Sequence, residues 1–336
     1  MHILRKIIKL CIASGLYYSG ILYMLCIVKL RNRAVVLTYH RVVAEDKLSQ
    51  CYSSPGIIVN EKVFDKHLPV IKRFLKPLSI AQLQDCLEKG KPLPDRSCLL
   101  TFDDGWLDNY ETAYPILQKH GVSAVIFLPY NYISGSEMFW QEELLLRLSR
   151  MVDNNDQRDT DFVVTLTGIG GAPSNMALRE YISRLKCLGY QKIGKVLDQV
   201  RDRSTDASIN DHYVRYMTWE QILEMQDNGI TFGSHSMTHR ILTRLSTDDC
   251  RQELVDSKQR LESKLQSPVL TLAYPNGDHN DHTELLANNA GYKLAFTTER
   301  GFASNNTPAL AIPRINIHNN SSYNKAVFLC TILGIF

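Results

Sequence analysis

The run S-C-L-L-T-F-D-D-G at residues 97–105 decides how the rest of the chain is read. Ser97 to Phe102 is short and mostly apolar, which suits a buried strand. It passes without a spacer into Asp103, Asp104 and Gly105. A strand that turns acidic at its carboxyl end puts charge where parallel α/β folds keep their chemistry. Side chains alternate along extended backbone, so the two carboxylates project in different directions. One can hold a metal while its neighbour faces a substrate. Alone, Asp-Asp-Gly is equally an ordinary solvated turn.

Working outward, Ala34 to Val43 (AVVLTYHRVV) reads as a buried strand ending in the polar residues Tyr39, His40 and Arg41. Val63 to Phe74 and Ile80 to Lys89 have helical periodicity, the second closed by Gly90 and followed by Pro92 and Pro94. Thr112 to His120 reads as a helix stopped by Gly121, and Ser123 to Leu128 (SAVIFL) as the next strand. Alternating strands and helices predict a parallel sheet covered by helices, either an open doubly wound sheet or a barrel. In both, the site lies at the carboxyl ends of the strands, and polar clusters follow the apolar runs at 34, 97, 231 and 270. Residues 151–176, a short F-V-V-T-L run between polar and glycine-rich stretches, read as the start of an insertion extending to about 215.

A second constellation follows the strand end Gly229 to Gly233. His235 and His239, in G-S-H-S-M-T-H at 233–239, are four residues apart, and on a helical turn both imidazoles leave one face. Paired imidazoles suit zinc or a similar divalent ion, although surface and capping histidines share the spacing. One carboxylate and two imidazoles, each placed after its own strand, form a facial metal site with positions open to water.

Composition narrows the function classes. At 336 residues and 44% hydrophobic content the chain can bury a full core. A net charge of +3 without a basic block argues against nucleic acid as a partner. The eight cysteines show neither a zinc-ribbon spacing nor a disulfide framework, and many unpaired thiols favour a reducing compartment. From Leu10 to Val28 there is no charge, with Arg5, Lys6 and Lys9 before and Lys29, Arg31 and Arg33 after. Residues 1–33 therefore read as a membrane-associated apolar helix, spanning or lying in the interface, with a buried helix as the alternative. The tail at 326–336 is apolar but too short to span; a docking helix or second interfacial contact fits it.

T-F-D-D-G-W at 101–106, G-S-H-S-M-T-H at 233–239 and A-Y-P-N-G at 273–277 resemble three ordered motifs of the polysaccharide deacetylase family, the NodB homology domain of carbohydrate esterase family 4. L-T-Y-H-R-V at 37–42 and D-N-Y at 108–110 are similar to its membrane-associated exopolysaccharide branch. The resemblance covers most of 34–318. It implies an α/β fold, a distorted (β/α) barrel over 34–325, and a divalent metal, commonly zinc. It further implies Asp103 as general base, Asp104, His235 and His239 as metal ligands, and the backbone N–H of Tyr274 as an oxyanion donor. The general acid is a late histidine in many members and one ending the first strand in others. His40 fits the second pattern and is preferred because it closes a buried strand; His318 is the alternative.

Many relatives carry an arginine three residues before the third motif's tyrosine, where this chain has Thr271. Arg314 either supplies that guanidinium from a neighbouring strand or makes a surface salt bridge. Trp140 and Trp219 suit stacking on a sugar but also ordinary core packing. The resulting expectation is a hydrolase that removes acetyl groups from N-acetylated sugars in a polysaccharide or lipid-linked glycan, at a membrane. Its rivals are an O-deacetylase or deformylase and a catalytically silent carbohydrate-binding relative. Thiol content favours the cytoplasmic face; polymer-modifying relatives argue for the other. Oligomeric state has no signature here.

Overall fold

Among the described residues, short and mostly apolar runs form ten strands: β1 (Ala34–Tyr39), β2 (Arg41–Val43), β3 (Ile58–Asn60), β4 (Lys76–Pro77), β5 (Ser97–Phe102), β6 (Val125–Leu128), β7 (Thr231–Ser234), β8 (Thr271–Ala273), β9 (Leu294–Phe296) and β10 (Ile315–Asn316). In the computed structural model, which describes residues 2–135, 137–154, 156–171, 173–204 and 215–336, the strands build one large parallel sheet. Its order is β10-β1-β5-β6-β7-β8-β9, with β4 added beside β5, and β2 and β3 form a separate pair.

The sheet curls because the chain after β9 returns along it. Thr297 N donates to Ile312 O at 2.9 Å and Arg314 N to Glu299 O at 2.8 Å, and the same segment then enters β10, which pairs with β1. This is the distorted (β/α) barrel expected from the motifs. Ala34, Val36, Leu99, Val125, Phe127, Leu294, Phe296 and Ile312, all fully or almost fully buried, pack as one cluster. Leu99 and Asp103 share a strand parity, so the acidic end of β5 rises from this cluster.

The helices are α1 (His2–Tyr18), α2 (Ile21–Lys29), α3 (Glu61–Phe74), α4 (Ile80–Glu88), α5 (Tyr114–His120), α6 (Trp140–Asp153), α7 (Gln157–Thr167), α8 (Asn175–Leu185), α9 (Tyr190–Arg203), α10 (Trp219–Asp227), α11 (Thr247–Leu265), α12 (Asp281–Asn289), α13 (Asn319–Ser322) and α14 (Lys325–Ile332). Local chemistry sets their ends. Ser79 with Gln82 and Thr218 with Gln221 form capping boxes on α4 and α10, and Gly121 ends α5 in the left-handed conformation.

The chain divides into two compact units. One comprises Met1–Leu48, Pro55–Gly135 and Tyr216–Phe336 and contains the barrel; the other comprises Ser49–Ser54 and Ser136–Arg215. The second unit is helical. Leu144, Leu148, Val163, Leu178, Ile182 and Val200 form its core, and Trp140 packs against that core. Glu143 within it accepts from Arg147 and Arg201. The longer segment of this unit begins at Ser136, earlier than the expected insertion boundary of 151, and the F-V-V-T-L run lies in α7. Residues 205–214 of the expected insertion lie outside the described residues.

Two expectations need correction. The strand expected over 34–43 breaks at His40: Arg41–Val43 leaves the large sheet to pair with β3, held by bonds from Arg41 Nε and Val42 N to Asp108 at 2.8 and 3.0 Å. The amino-terminal segment is not one helix but two, meeting at 81° where Gly20 takes φ 80°. Among the described residues no single helix is long and apolar enough to cross a membrane. The apolar tail forms α14, whose residues Ala326–Ile332 are buried and which packs beside α1 and α3. All eight cysteines are free thiols.

Candidate active site

β5 delivers Asp103 and Asp104 into a turn where Asp104 has φ 76° and Gly105 φ 66°. A β-carbon at Gly105 would lie 2.9 Å from Leu128 and 3.0 Å from Ile133, so this reversal requires glycine. Left-handed backbone at a non-glycine residue costs on the order of 1 kcal/mol, and such positions collect at functional sites. Here the two carboxylates diverge as expected.

Asp103 points into the barrel and meets Arg314. The guanidinium donates from Nη1 to Oδ1 at 2.8 Å and from Nη2 to Oδ2 at 2.7 Å. Its remaining donors reach Thr297 O at 2.8 Å and Thr101 Oγ1 at 3.3 Å, and the group lies over Phe127 and Phe296. Arg314 is 1% exposed, so the surface-bridge reading of this residue is incorrect. Burial works against charge on Asp103. The adjacent Arg314 outweighs it, helped by His235 and His40, and holds the carboxyl below its ordinary range.

Asp104 points the other way, to both histidines. Its Oδ1 lies 3.5 Å from His235 Nε2 and 3.3 Å from His239 Nε2, and Trp106 Nε1 donates to Oδ2 at 3.0 Å. Burial opposes its charge too, but the two imidazoles dominate and keep the carboxyl well below the usual range. The His235 Nδ1–H is spent on Ala273 O at 2.7 Å, which turns Nε2 toward Asp104. The histidines do not lie on a helical turn. Ser236 at φ 65° and His239 at φ 55° fold the loop back, and Ser236 Oγ accepts from His239 N at 3.1 Å. Glu253 of α11 secures the loop by accepting from the amides of Met237 and Thr238, both at 2.9 Å, and from the Thr238 hydroxyl.

These donors fit a small divalent cation. Asp104, His235 and His239 each offer one atom, and the three atoms lie within 4.8 Å of one another. Tetrahedral ligands at about 2.0–2.1 Å from zinc are separated by about 3.4 Å, close to the observed carboxylate–imidazole spacings. Nitrogen and oxygen donors of this kind suit zinc and its neighbours in the first transition row.

His40 Nε2 lies 3.8 Å from Asp103 Oδ2, and the backbone at His40 is tied down by Asn109 Nδ2, which donates to His40 O at 2.7 Å. His318 lies past β10 at the start of α13 and makes no ion pair with either aspartate; burial lowers its pKa. Tyr274 does not fit its expected role. Its N–H donates to Phe296 O at 3.0 Å and is spent in the β8–β9 ladder, while its hydroxyl donates to Leu310 O at 2.9 Å. Trp219 packs against Tyr130, with Lys264 over its ring.

Sequence reasoning passed over Trp106, Glu253 and the Arg41–Asp108 pair. Trp106 stacks on Tyr216 with centroids 4.9 Å apart and carries the Arg41 guanidinium 4.5 Å above its ring. It directly follows Asp-Asp-Gly, and that adjacency was the available signal. Glu253 carried none.

The sequence profile of the polysaccharide deacetylase family matches residues 90–155 and 189–295, a little over half of the chain. YxkH of Bacillus subtilis strain 168, whose name bears the polysaccharide deacetylase designation, is 23% identical over 283 residues, covering 84% of this chain and 70% of that protein. The poly-β-1,6-N-acetyl-D-glucosamine N-deacetylase of Escherichia coli K12 is 25% identical over 251 residues, 74% of this chain but only 32% of the relative. Among solved structures, the Streptococcus pyogenes deacetylase PplD in complex with acetate superposes with a TM-score of 0.58 at 24% identity, covering 89% of this chain and 98% of that one. With barrel, motifs and profile in agreement, the chain belongs to the polysaccharide deacetylase family, hydrolases that cleave carbon–nitrogen bonds other than peptide bonds.

Proposed function

We propose that this chain removes acetyl groups from N-acetylated hexosamine residues of a polysaccharide in a reaction that depends on a divalent metal, with zinc the best match to its donors. The observation that carries the reading is the Asp104–His235–His239 cluster, buried at Asp104 and His235 and half-buried at His239, set beside an Asp103 clamped by Arg314. The E. coli relative, named for poly-β-1,6-N-acetyl-D-glucosamine, supports a hexosamine polymer as the substrate class.

Asp104, His235 and His239 would hold the cation, which would supply the positive charge that polarises an acetyl carbonyl and lowers the pKa of a water. The chain's own residues do the rest. Asp103, kept ionised by Arg314, accepts the proton of the attacking water. The bidentate clamp leaves the carboxylate little rotational freedom, which is the positioning part of the rate enhancement. An amide nitrogen cannot leave as an anion, so a proton must reach it, and His40 is the imidazole beside Asp103 that delivers it. The Tyr274 amide has no part in this scheme.

Acetate release from N-acetylglucosamine oligomers tests the proposal. Activity should vanish on dialysis against a chelator, return with zinc, and fall by two or more orders of magnitude in Asp103→Asn. A chelated enzyme that retains full activity, or an Asp103→Asn variant equal to wild type, would overturn the reading. O-acetylated and N-formylated oligomers run in parallel separate the rival acyl groups.

A further inference from the structure

The first 33 residues contain six arginines and lysines and no acidic residue. Folded, they present an unusual surface. Ten of the fourteen large exposed hydrophobic side chains among the described residues lie between Leu4 and Val28. On α1, Leu4, Ile7, Ile8 and Ile12 are 48–61% exposed and follow helical spacing, so they form one stripe. On α2, Met24 at 59% and Val28 at 68% are likewise exposed. The other side of both helices is committed to the barrel unit. Ala13, Leu22, Cys26 and Leu30 have no exposure, Leu30 O accepts from Arg96 N at 2.8 Å, and Tyr17 packs on Phe74 of α3.

Cations stand beside aromatic rings where α1 meets the C-terminal segment. Lys6 lies over Tyr323, Lys9 over Phe336 and Lys325 over Tyr17, at 4.7, 5.2 and 5.0 Å from the ring centroids. Between α1, α3 and α14 a groove of about 420 Å³ is lined by Lys66, Arg73 and Lys325 together with Tyr17, Tyr323 and Asn324. None of these three cations makes an ion pair among the described residues, and α1, α2, α13 and α14 carry no carboxylate. The nearest acids on α3 are directed elsewhere: Asp65 is held by Lys119 and His120.

We infer that α1 and α2 form an in-plane membrane anchor: the stripe lies in the headgroup region of an anionic bilayer, and the Lys66–Arg73–Lys325 groove receives a lipid phosphate. Three observations select this occupant. The exposed side chains of α1 and α2 are large and apolar, the segment carries six cations and no acid, and the positive groove has no counter-charge among the described residues. Amphipathic helices rich in lysine and arginine lie in the interface in this manner. Spanning is a poor alternative. The bend of 81° at Gly20 divides the segment, and Ala13, Leu22, Cys26 and Leu30 are buried against the protein. The anchor lies on the barrel unit and does not depend on the assigned chemistry, so the two readings fail independently.

Flotation of the full chain with vesicles of phosphatidylcholine alone, or with a third of the lipid replaced by phosphatidylglycerol, tests the anchor. The expected result is selective flotation with the anionic vesicles, weakened by high salt. Each of Lys66→Ala, Arg73→Ala and Lys325→Ala should lower partitioning by about five-fold, the effect of removing one cation near a charged surface. Ile8→Glu combined with Met24→Glu should abolish flotation while acetate release from soluble oligomers and the circular dichroism spectrum stay unchanged. Alkaline carbonate should release the chain from the vesicles, and its retention would overturn in-plane attachment. Equal flotation with neutral vesicles would overturn the phosphate groove. A lipid-free dimer dissociated by the double glutamate variant would assign the face to a second copy and overturn the anchor.

Discussion

Replacing Arg314 by alanine tests the arrangement around Asp103 most directly. In the native chain the guanidinium makes four hydrogen bonds, two of them to Asp103, and is 1% exposed. Removing it leaves a buried carboxylate without its partner. Breaking such a pair costs about 3–5 kcal/mol, which for a domain of this size lowers Tm by roughly 10 °C. A second effect appears in the kinetics. Arg314 is too deeply buried to touch a polymer, so KM should change less than about threefold, whereas a carboxylate free to rotate away from the water it activates should lower kcat about a hundredfold. Arg314→Lys separates the two effects. An ammonium restores a positive charge and part of the lost stability, but it cannot make the planar two-point contact, so kcat should stay well below wild type. The assays are thermal denaturation and steady-state acetate release at a temperature where all three proteins are folded. An alanine variant with kcat within twofold of wild type, or one whose loss lies wholly in KM, would refute the positioning argument.

His40→Gln should lower kcat by two to four orders of magnitude, whereas His318→Gln should stay within tenfold of wild type; the reverse order in parallel acetate assays would reassign the acid. Trp106→Phe removes the bond to Asp104 Oδ2 while keeping a ring, and chelator competition should show zinc affinity weaker by about 10–100-fold; unchanged affinity would leave Trp106 a packing role only. His67 is buried, bonded to Tyr39 OH and Ser322 O and stacked on Phe328, and burial lowers its pKa from 6.5 to about 4. Because its folded pKa lies below the unfolded one, its contribution is intact above about pH 6.5 and is lost as pH falls toward 4, by at most about 3 kcal/mol. Denaturant titrations at both ends of that window should show this loss in wild type and a smaller one in His67→Gln.

The parts of the site that were legible in the sequence are those that local chemistry dictates. S-C-L-L-T-F-D-D-G announces a buried strand ending in charge, and the structure places Asp103 and Asp104 at the carboxyl end of β5. The His235–His239 spacing identified a pair but suggested the wrong backbone. Four residues bring two imidazoles together on a helix, and here left-handed Ser236 and His239 achieve the same convergence by folding a loop back. Spacing therefore recorded which side chains converge and not how. Tyr274 was misread for a different reason. Whether its amide is free depends on the register of β8 against β9, a contact between distant segments that the A-Y-P-N-G motif does not encode.

Arg314 carries that point furthest. At Thr271, where relatives are expected to hold arginine, the chain has a buried hydroxyl without a hydrogen-bond partner, close against Gly233. A β-carbon at Gly233 would run into both Thr271 Oγ1 and Phe127, which leaves little space between β7 and β8. The guanidinium reaches Asp103 instead from the segment that closes the barrel, and that path exists only once Thr297 and Glu299 have paired with Ile312 and Arg314. A carboxylate buried at the end of β5 requires a cation wherever the topology can supply one. Here the positive partner comes from the segment that closes the barrel and not from β8, and a search confined to the third motif finds Thr271 in its place.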